Sequence, residues 1–202
     1  MKLAVYIVSL VMLAFMINGC VDTSSHSTTV IKKIKQQTIV FEDDSEQALS
    51  DKDIKQVFYL VRHAEKDTVP ANDPTLTPEG EKRSEALADI FRQSRIDAIY
   101  STLFLRTLLT ADSLSRAKGL NILPYGPVEL KSFAESLKQN NDVSTAMIVG
   151  HSNTTPTLVS FLADKDSSQF PHLDERVYDK LFIVIIHKDG TTDVKELNYY
   201  TG

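Results

Sequence analysis

The sequence is poor in the residues that build disulfide-rich, collagen-like or nucleic-acid-binding proteins. Its 202 residues include one cysteine, seven glycines and seven prolines, and their formal net charge is −5. A single cysteine excludes an internal disulfide framework and any zinc or iron–sulfur site built from cysteines. So few glycines and prolines exclude a collagen-like or Pro/Gly-driven disordered chain. Lysine and arginine form no block, and because contacts to nucleic-acid phosphates need clustered cations, we expect no nucleic-acid partner.

The one long apolar run lies at the amino terminus. Residues 3–17 are almost entirely apolar, and Asn18-Gly19-Cys20 follows them. A run of this length behind one positive charge is typical of a secretory signal, and it is shorter than the roughly 20 residues that a membrane span needs. An uncleaved anchor is the alternative. The segment at the end of the apolar run, Asn18-Gly19-Cys20, resembles a bacterial lipobox, which implies cleavage before Cys20 and lipid attachment to its sulfur. We therefore expect a lipoprotein signal peptide at 1–19 and a protein of the bacterial cell envelope, anchored to a membrane and facing outside the cytoplasm.

A polar region follows the cysteine. Residues 21–29 are rich in serine and threonine, which is typical of a flexible tether. Residues 30–41 mix apolar pairs with lysines, and their pattern does not decide between strand and helix. Residues 42–55 are acidic and fit the end of the tether or a short surface helix. We predict a polar tether at 20–55 and a folded domain at 56–202.

From residue 56 onward the pattern alternates between short apolar strands and amphipathic helices. Continuous apolar runs such as 57–61 and 145–149 are typical of parallel strands that are buried on both faces. Two apolar segments at 181–186 and 192–197 surround a Lys-Asp-Gly turn and predict a terminal hairpin. This order predicts an α/β fold, a three-layer α/β/α sandwich with a mostly parallel central sheet and an antiparallel edge.

Histidines and arginines follow the predicted strands where each strand ends. Arg62 and His63 come after the first buried strand and His151 after the third, while Arg106 lies one turn into the helix that follows the second. Ligands of such sheets bind beyond the carboxyl ends of the strands. The guanidinium group offers a fork of donors that matches phosphate oxygens. Two imidazoles and two guanidiniums at one edge therefore predict a site for a phosphate-like dianion.

Three segments carry a family resemblance. Residues 61–66 (VRHAEK), 101–107 (STLFLRT) and 149–154 (VGHSNT) resemble the motifs of the histidine phosphatase superfamily, in the same order. Ala64 stands where many members have glycine, which is a small-for-small change. The resemblance covers about residues 56–200, and it identifies 56–202 as a histidine phosphatase-like catalytic domain of the small, phosphoglycerate mutase-like type.

The resemblance implies a mechanism without metal or cofactor. His63 would attack phosphorus and form a phosphohistidine, while Arg62, Arg106 and His151 would hold the phosphate oxygens. A protonated His151 would add a further charge-assisted donor. The substrate would be a phosphorylated small molecule or a phosphoprotein, as a phosphomonoester, an acyl phosphate or a phosphohistidine.

The acid that would protonate the leaving group is not evident from the sequence. Expulsion of an alkoxide needs a proton, so a carboxyl group is expected nearby. Glu129 lies where the mutase-like branch draws its acid, and Glu65 and Asp67 directly follow the nucleophile. If none of them serves, good leaving groups such as aryl or acyl phosphates and phosphohistidine would be preferred.

Two other functions stay open. A lipid-anchored module could bind a phosphorylated ligand without turnover, although a pure binder would not need the nucleophile. A phosphoglycerate mutase-type phosphotransferase is the second alternative, but an exported protein would not meet that substrate at useful concentration.

Overall fold

A computed structural model describes residues 30–200 of the chain. The signal peptide expected at 1–19, the lipidation site at Cys20 and the first part of the predicted tether lie outside these residues. Among the helices of residues 30–200, none combines the length and the hydropathy that a membrane span requires.

Residues 30–200 form nine strands and four α-helices. The strands are β1 Val30–Lys35, β2 Thr38–Phe41, β3 Glu46–Ala48, β4 Ile54–Arg62, β5 Ala98–Ser101, β6 Ile122–Pro124, β7 Thr145–Gly150, β8 Lys180–His187 and β9 Thr192–Tyr199. The helices are α1 Pro78–Ile90, α2 Leu105–Lys118, α3 Leu130–Gln139 and α4 Thr154–Ala163. A 3₁₀ turn at Ser167–Gln169 precedes the irregular segment that leads into β8.

The strands form one mixed sheet in the order β3-β2-β1-β9-β8-β4-β7-β5-β6. β4, β7, β5 and β6 are parallel neighbours, whereas β8 and β9 add an antiparallel hairpin to β4. β1 pairs parallel to β9, and β2 and β3 continue antiparallel from it. The α/β fold is confirmed. The antiparallel part is larger than the predicted edge, because four of the eight ladders are antiparallel.

Alternate residues of β4 enter two separate hydrophobic clusters, one on each face of the sheet. Tyr59 belongs to the cluster that α1 and α2 cover, where its ring meets that of Phe91 edge-on at 4.6 Å between centroids. Phe58 and Leu60 belong to the cluster that α3 and α4 cover, with Leu158 of α4. Because both faces are covered, β4 reads as a continuous apolar run.

The amino-terminal strands correct the predicted tether, because residues 30–55 belong to the folded domain. Ile34 and Ile39 are fully buried, and they join the same hydrophobic cluster as the residues of α1. The Ser94 hydroxyl donates to the carbonyl oxygen of Ile34 at 2.7 Å. The strand was not recognisable because the pairing of β1 with β2 shifts between Ile31 and Lys33. This bulge places inward-facing residues three positions apart and breaks the two-residue period of a strand.

Two local signals in the sequence act as expected at the ends of helices. Thr77 caps α1, and its hydroxyl accepts from the Gly80 amide at 3.2 Å, with Pro78 at the first helical position. Gly119 ends α2 in the left-handed conformation at φ 64°. These boundaries fix where α1 and α2 begin and end beside β4 and β5.

Candidate active site

The nucleophile predicted from the sequence lies at the carboxyl end of β4. The parallel ladder pairs Arg62 with Gly150 of β7, and the His63 amide donates to the Gly150 carbonyl at 2.9 Å. The two strands therefore end together, which brings His63 and His151 side by side. Their ring centroids are 5.6 Å apart, with the rings edge to face.

The environment of His63 selects one protonation state and one tautomer. The ring is buried, and its Nδ1 lies 2.8 Å from the Ala64 carbonyl oxygen. A carbonyl oxygen only accepts, so Nδ1 carries the proton and Nε2 keeps its lone pair. Burial lowers the pKa of His63 to about 3, and the charges of Arg62 and Arg106 add to this effect. The imidazole is therefore neutral near pH 7, as a nucleophile must be.

Arg62 is buried and held by the segment that precedes β8. Its Nη1 donates to the carbonyl oxygens of Asp174 and Val177 at 3.0 and 3.1 Å, and its guanidinium lies 4.3 Å from the centroid of the Tyr178 ring. Its Nη2 contacts the Glu175 carboxylate. Within the described chain, the buried Nε has no hydrogen-bond partner. One donor of a rigidly placed guanidinium is thus left without a partner in residues 30–200.

Arg106 is the second residue of α2, and its side chain returns to the same edge of the sheet. The guanidinium lies 4.4 Å from the centroid of the Phe104 ring, and Nη1 lies 3.7 Å from Asp73 Oδ1. The same carboxylate oxygen accepts the Leu105 amide at 2.8 Å, so Asp73 also caps α2 from a distant loop. No local pattern in the sequence indicated this role of Asp73.

One threonine joins the nucleophile to this arginine. The Thr110 hydroxyl accepts the amide of Ala64, directly after His63, at 2.8 Å and donates to the Arg106 carbonyl at 2.7 Å. A buried hydroxyl that is satisfied on both sides holds the loop after β4 against the first turns of α2.

His151 faces His63 across the site and is itself held by hydroxyl groups. Its Nε2 lies 2.9 Å from Thr102 Oγ1, and its amide donates to Thr154 Oγ1 at 3.0 Å. Burial lowers the pKa of His151 to about 4, with further lowering by Arg106 and Arg62. His151 is therefore neutral near pH 7, and the expected protonated form would need the added charge of a bound anion.

These side chains share a cleft of about 470 Å³. Its walls combine cationic and imidazole groups with apolar side chains and a polar rim, and the residues are His63, Lys66, Phe104, Arg106, Pro127, Val128, His151, Ser152, Asn153, Thr154 and Glu175. Arg62 touches the cleft through Glu175 and lies next to His63. The structure thus brings together His63, Arg62, Arg106 and His151, the four residues that the sequence singled out.

The acids suggested by the sequence do not line this cleft. Glu65 is bound to Arg83 through both carboxylate oxygens at 2.7 to 3.1 Å, and it lies in a neighbouring depression. Glu129 precedes α3 and lines an adjoining cleft that shares only Val128 with the first. Asp67 is exposed and accepts from the Thr68 amide at 2.6 Å. Glu175, which the sequence did not single out, lies in the cleft instead.

Comparison with known proteins finds a family match over part of the chain. Residues 58–125 match the histidine phosphatase superfamily (branch 1). This match includes Arg62, His63 and Arg106, whereas His151 lies beyond it. The chain is also similar to phosphoserine phosphatase 1 of Hydrogenobacter thermophilus, with 37% identity over 70 residues. That similarity covers 32% of this chain, and the chain spans about a third of that relative's length (33%).

Solved structures of phosphatases share the fold. The protein histidine phosphatase SixA in complex with tungstate superposes with a TM-score of 0.59 at 16% identity, covering 71% of this chain and 97% of that chain. A mycobacterial glucosyl-3-phosphoglycerate phosphatase has the same TM-score at 12% identity, covering 72% of this chain and 99% of that chain. At such low identities these likenesses show the fold alone.

Proposed function

We propose that the protein is a metal-independent phosphatase that forms a phosphohistidine on His63. The observation that carries the proposal is the fixed tautomer of this ring, whose free Nε2 lies in a cleft with Arg106 and His151. A neutral imidazole can attack phosphorus in line and divide hydrolysis into two steps. Guanidinium groups supply the positive charge that the phosphoryl group needs in the transition state.

The two steps use the residues of the cleft in order. Nε2 of His63 forms a bond to phosphorus while the bond to the leaving oxygen breaks, and that oxygen takes up a proton. Water then attacks the phosphohistidine, the nitrogen–phosphorus bond breaks, and orthophosphate leaves with His63 restored. The guanidinium groups of Arg62 and Arg106 hold the phosphoryl oxygens throughout, and a bound dianion favours a proton on His151.

The proposed substrates are phosphorylated small molecules or the phosphohistidine of another protein. Phosphoserine phosphatase 1 and SixA, by their names, act on one substrate of each kind. The cleft places apolar side chains from Phe104, Pro127 and Val128 beside its charged groups. Such a wall accommodates a leaving group with an apolar part, and it does not choose between the two kinds of substrate.

Rapid quenching of the full-length chain with ³²P-labelled substrate tests the mechanism. We expect an acid-labile, base-stable phosphoramidate on the wild type and none on His63→Ala, with p-nitrophenyl phosphate hydrolysis lost by about 10⁴-fold or more. Hydrolysis should persist in chelator. Near-normal turnover of His63→Ala, or activity that chelator removes and added zinc or magnesium restores, would contradict the proposal. Vanadate-sensitive phosphate binding without any hydrolysis would instead identify a binding module.

We also propose that lipid on Cys20 anchors the protein to a membrane of the bacterial cell envelope. The support is the sequence alone, the apolar run at 3–17 followed by Asn18-Gly19-Cys20. Several acyl chains would make the attachment effectively permanent, since each buried CH₂ contributes about 0.8 kcal/mol. Cys20→Ser should move the protein from the membrane fraction to the soluble envelope fraction or stop its processing. A soluble cytoplasmic wild type with an intact amino terminus would contradict this proposal.

A further inference from the structure

Glu175 is the one acidic side chain among the residues that line the cleft in the described chain. It lies in the irregular segment between the 3₁₀ turn and β8. One carboxylate oxygen contacts Arg62 Nη2, and the other accepts from the Ser152 hydroxyl at 2.5 Å. The side chain is nevertheless 73% exposed. Two groups of the site thus position this carboxylate, and it remains accessible to a ligand in the cleft.

The proposed hydrolysis leaves one chemical need unmet. Expulsion of an alkoxide requires a proton donor beside the leaving oxygen. His63 Nδ1 donates its proton to the Ala64 carbonyl oxygen, and the proposed mechanism uses His151 to hold a phosphoryl oxygen. The guanidinium groups of Arg62 and Arg106 are likewise assigned to the phosphoryl oxygens. A carboxyl group is a common proton donor for this step, and Glu175 is the carboxylate that lines the cleft in residues 30–200.

We propose that Glu175 is the general acid and base of this site, an assignment that rests on the proposed phosphatase function. The geometry carries it, because Glu175 lines the cleft with His63 and Arg106 and also contacts the Arg62 guanidinium. A phosphoryl dianion bound in this cleft lies beside the Glu175 carboxylate, so two anionic groups are close to each other. A proton on Glu175 relieves their repulsion, so binding of the substrate itself favours the protonated carboxyl group.

The proton balance closes over the two steps. In the first, protonated Glu175 gives its proton to the leaving oxygen as the bond from His63 Nε2 to phosphorus forms, which releases a neutral alcohol. In the second, the Glu175 carboxylate takes a proton from the attacking water while the nitrogen–phosphorus bond breaks. Orthophosphate departs, and Glu175 ends the cycle protonated, ready to lose that proton to solvent when it returns to Arg62.

The dependence of rate on the leaving group tests this assignment. The full-length wild type and Glu175→Gln are compared on p-nitrophenyl, phenyl and benzyl phosphate, which share a ring but differ in leaving-group basicity. Glutamine keeps the shape and one acceptor but cannot donate a carboxyl proton. We expect kcat/KM of Glu175→Gln to fall by about 100-fold or more on benzyl phosphate and by less than about fivefold on p-nitrophenyl phosphate.

Two further variants complete the experiment. Glu85→Gln, an exposed glutamate on α1 away from the cleft, is the matched control and should behave as wild type on all three esters. Glu129→Gln tests the acid suggested by the sequence. Equal losses of Glu175→Gln on every ester would show that Glu175 only positions Arg62. Tighter vanadate binding without selective loss would show that it only competes with phosphate. Selective loss in Glu129→Gln instead would move the role to that residue.

The hydrolysis rates of the wild type and of Glu175→Gln test the phosphatase function and the role of Glu175 separately. A wild type that hydrolyses none of the esters contradicts the phosphatase function and this assignment with it. A wild type that turns over, paired with an unselective Glu175→Gln, contradicts the assignment alone. Thermal unfolding of each variant confirms that the comparison is made between folded proteins.

Discussion

The parallel and antiparallel halves of the sheet contribute to the site in different ways. In the parallel half, β4 and β7 end next to each other, and this places His63 and His151 side by side. The antiparallel half contributes no nucleophile, yet the segment that enters it through β8 supplies the carbonyl oxygens and the carboxylate that fix Arg62. Strand ends therefore deliver the reacting groups, and the irregular segment next to the hairpin orients them.

In the parallel half, Arg62→Lys should lower the rate of hydrolysis strongly. An ammonium group cannot use the two carbonyl oxygens and still present a donor at the position of Nε. We expect a loss of about 2–4 kcal/mol in transition-state stabilisation, or roughly 30- to 1,000-fold in kcat/KM. Steady-state hydrolysis of p-nitrophenyl phosphate measures it. Lys180→Arg, which exchanges one cation for another on β8 outside the cleft, is the control. A normal rate of Arg62→Lys would contradict the role given to the guanidinium group of Arg62.

In the antiparallel half, Ile34→Ala should lower stability rather than chemistry. Ile34 is fully buried against the residues of α1, so the change leaves a cavity that costs about 2–5 kcal/mol of the free energy of unfolding. Urea denaturation measures the loss, and kcat at low temperature should stay close to the wild-type value. Exposed Val69→Ala is the matched control. An unchanged denaturation midpoint would mean that residues 30–48 behave as the tether that their sequence suggested.

The two histidines of the parallel half should also make stability depend on pH. Their pKa values in the folded protein are about 3 and 4, against about 6.5 when unfolded. Between about pH 6.5 and 4 the unfolded chain therefore binds more protons, and the folded state loses stability as the pH falls. We expect His63→Asn to lose less stability than wild type from pH 7 to 5, by about 2 kcal/mol. Parallel losses in the two proteins would contradict the buried neutral state of His63.

The smallest effect should come from the segment between the halves, through Tyr178→Leu. The ring lies against the Arg62 guanidinium, and a contact of this kind contributes about 0.5–2 kcal/mol. We expect a rise in KM of a few fold, about three- to tenfold, with kcat nearly kept, because the remaining anchors still hold the guanidinium. Tyr178→Phe keeps the ring face and should match wild type. A larger loss in the phenylalanine variant would assign the effect to the hydroxyl.

The sequence predicted the groups that local pattern determines and missed those that depend on distant contacts. Arg62 ends a buried strand, and His63 and His151 directly follow buried strands, so the apolar runs of the sequence located all three. Glu175 meets Arg62 across 113 residues of chain, and Asp73 meets Leu105 across 32. No local pattern encodes such contacts. β1 was missed for a different reason, since its bulge removes the alternation by which strands are recognised.

The hydroxyl of Thr110 bears on how a ligand would be captured. Because it ties the loop after His63 to the carbonyl of Arg106, the nucleophile and the arginine keep their spacing whether or not the cleft is filled. Binding of a ligand then requires little further ordering of the protein chain, so the entropic cost of binding comes mainly from the ligand. We expect oxyanions to associate in a single kinetic phase whose observed rate constant rises linearly with their concentration, as for a preformed binding site.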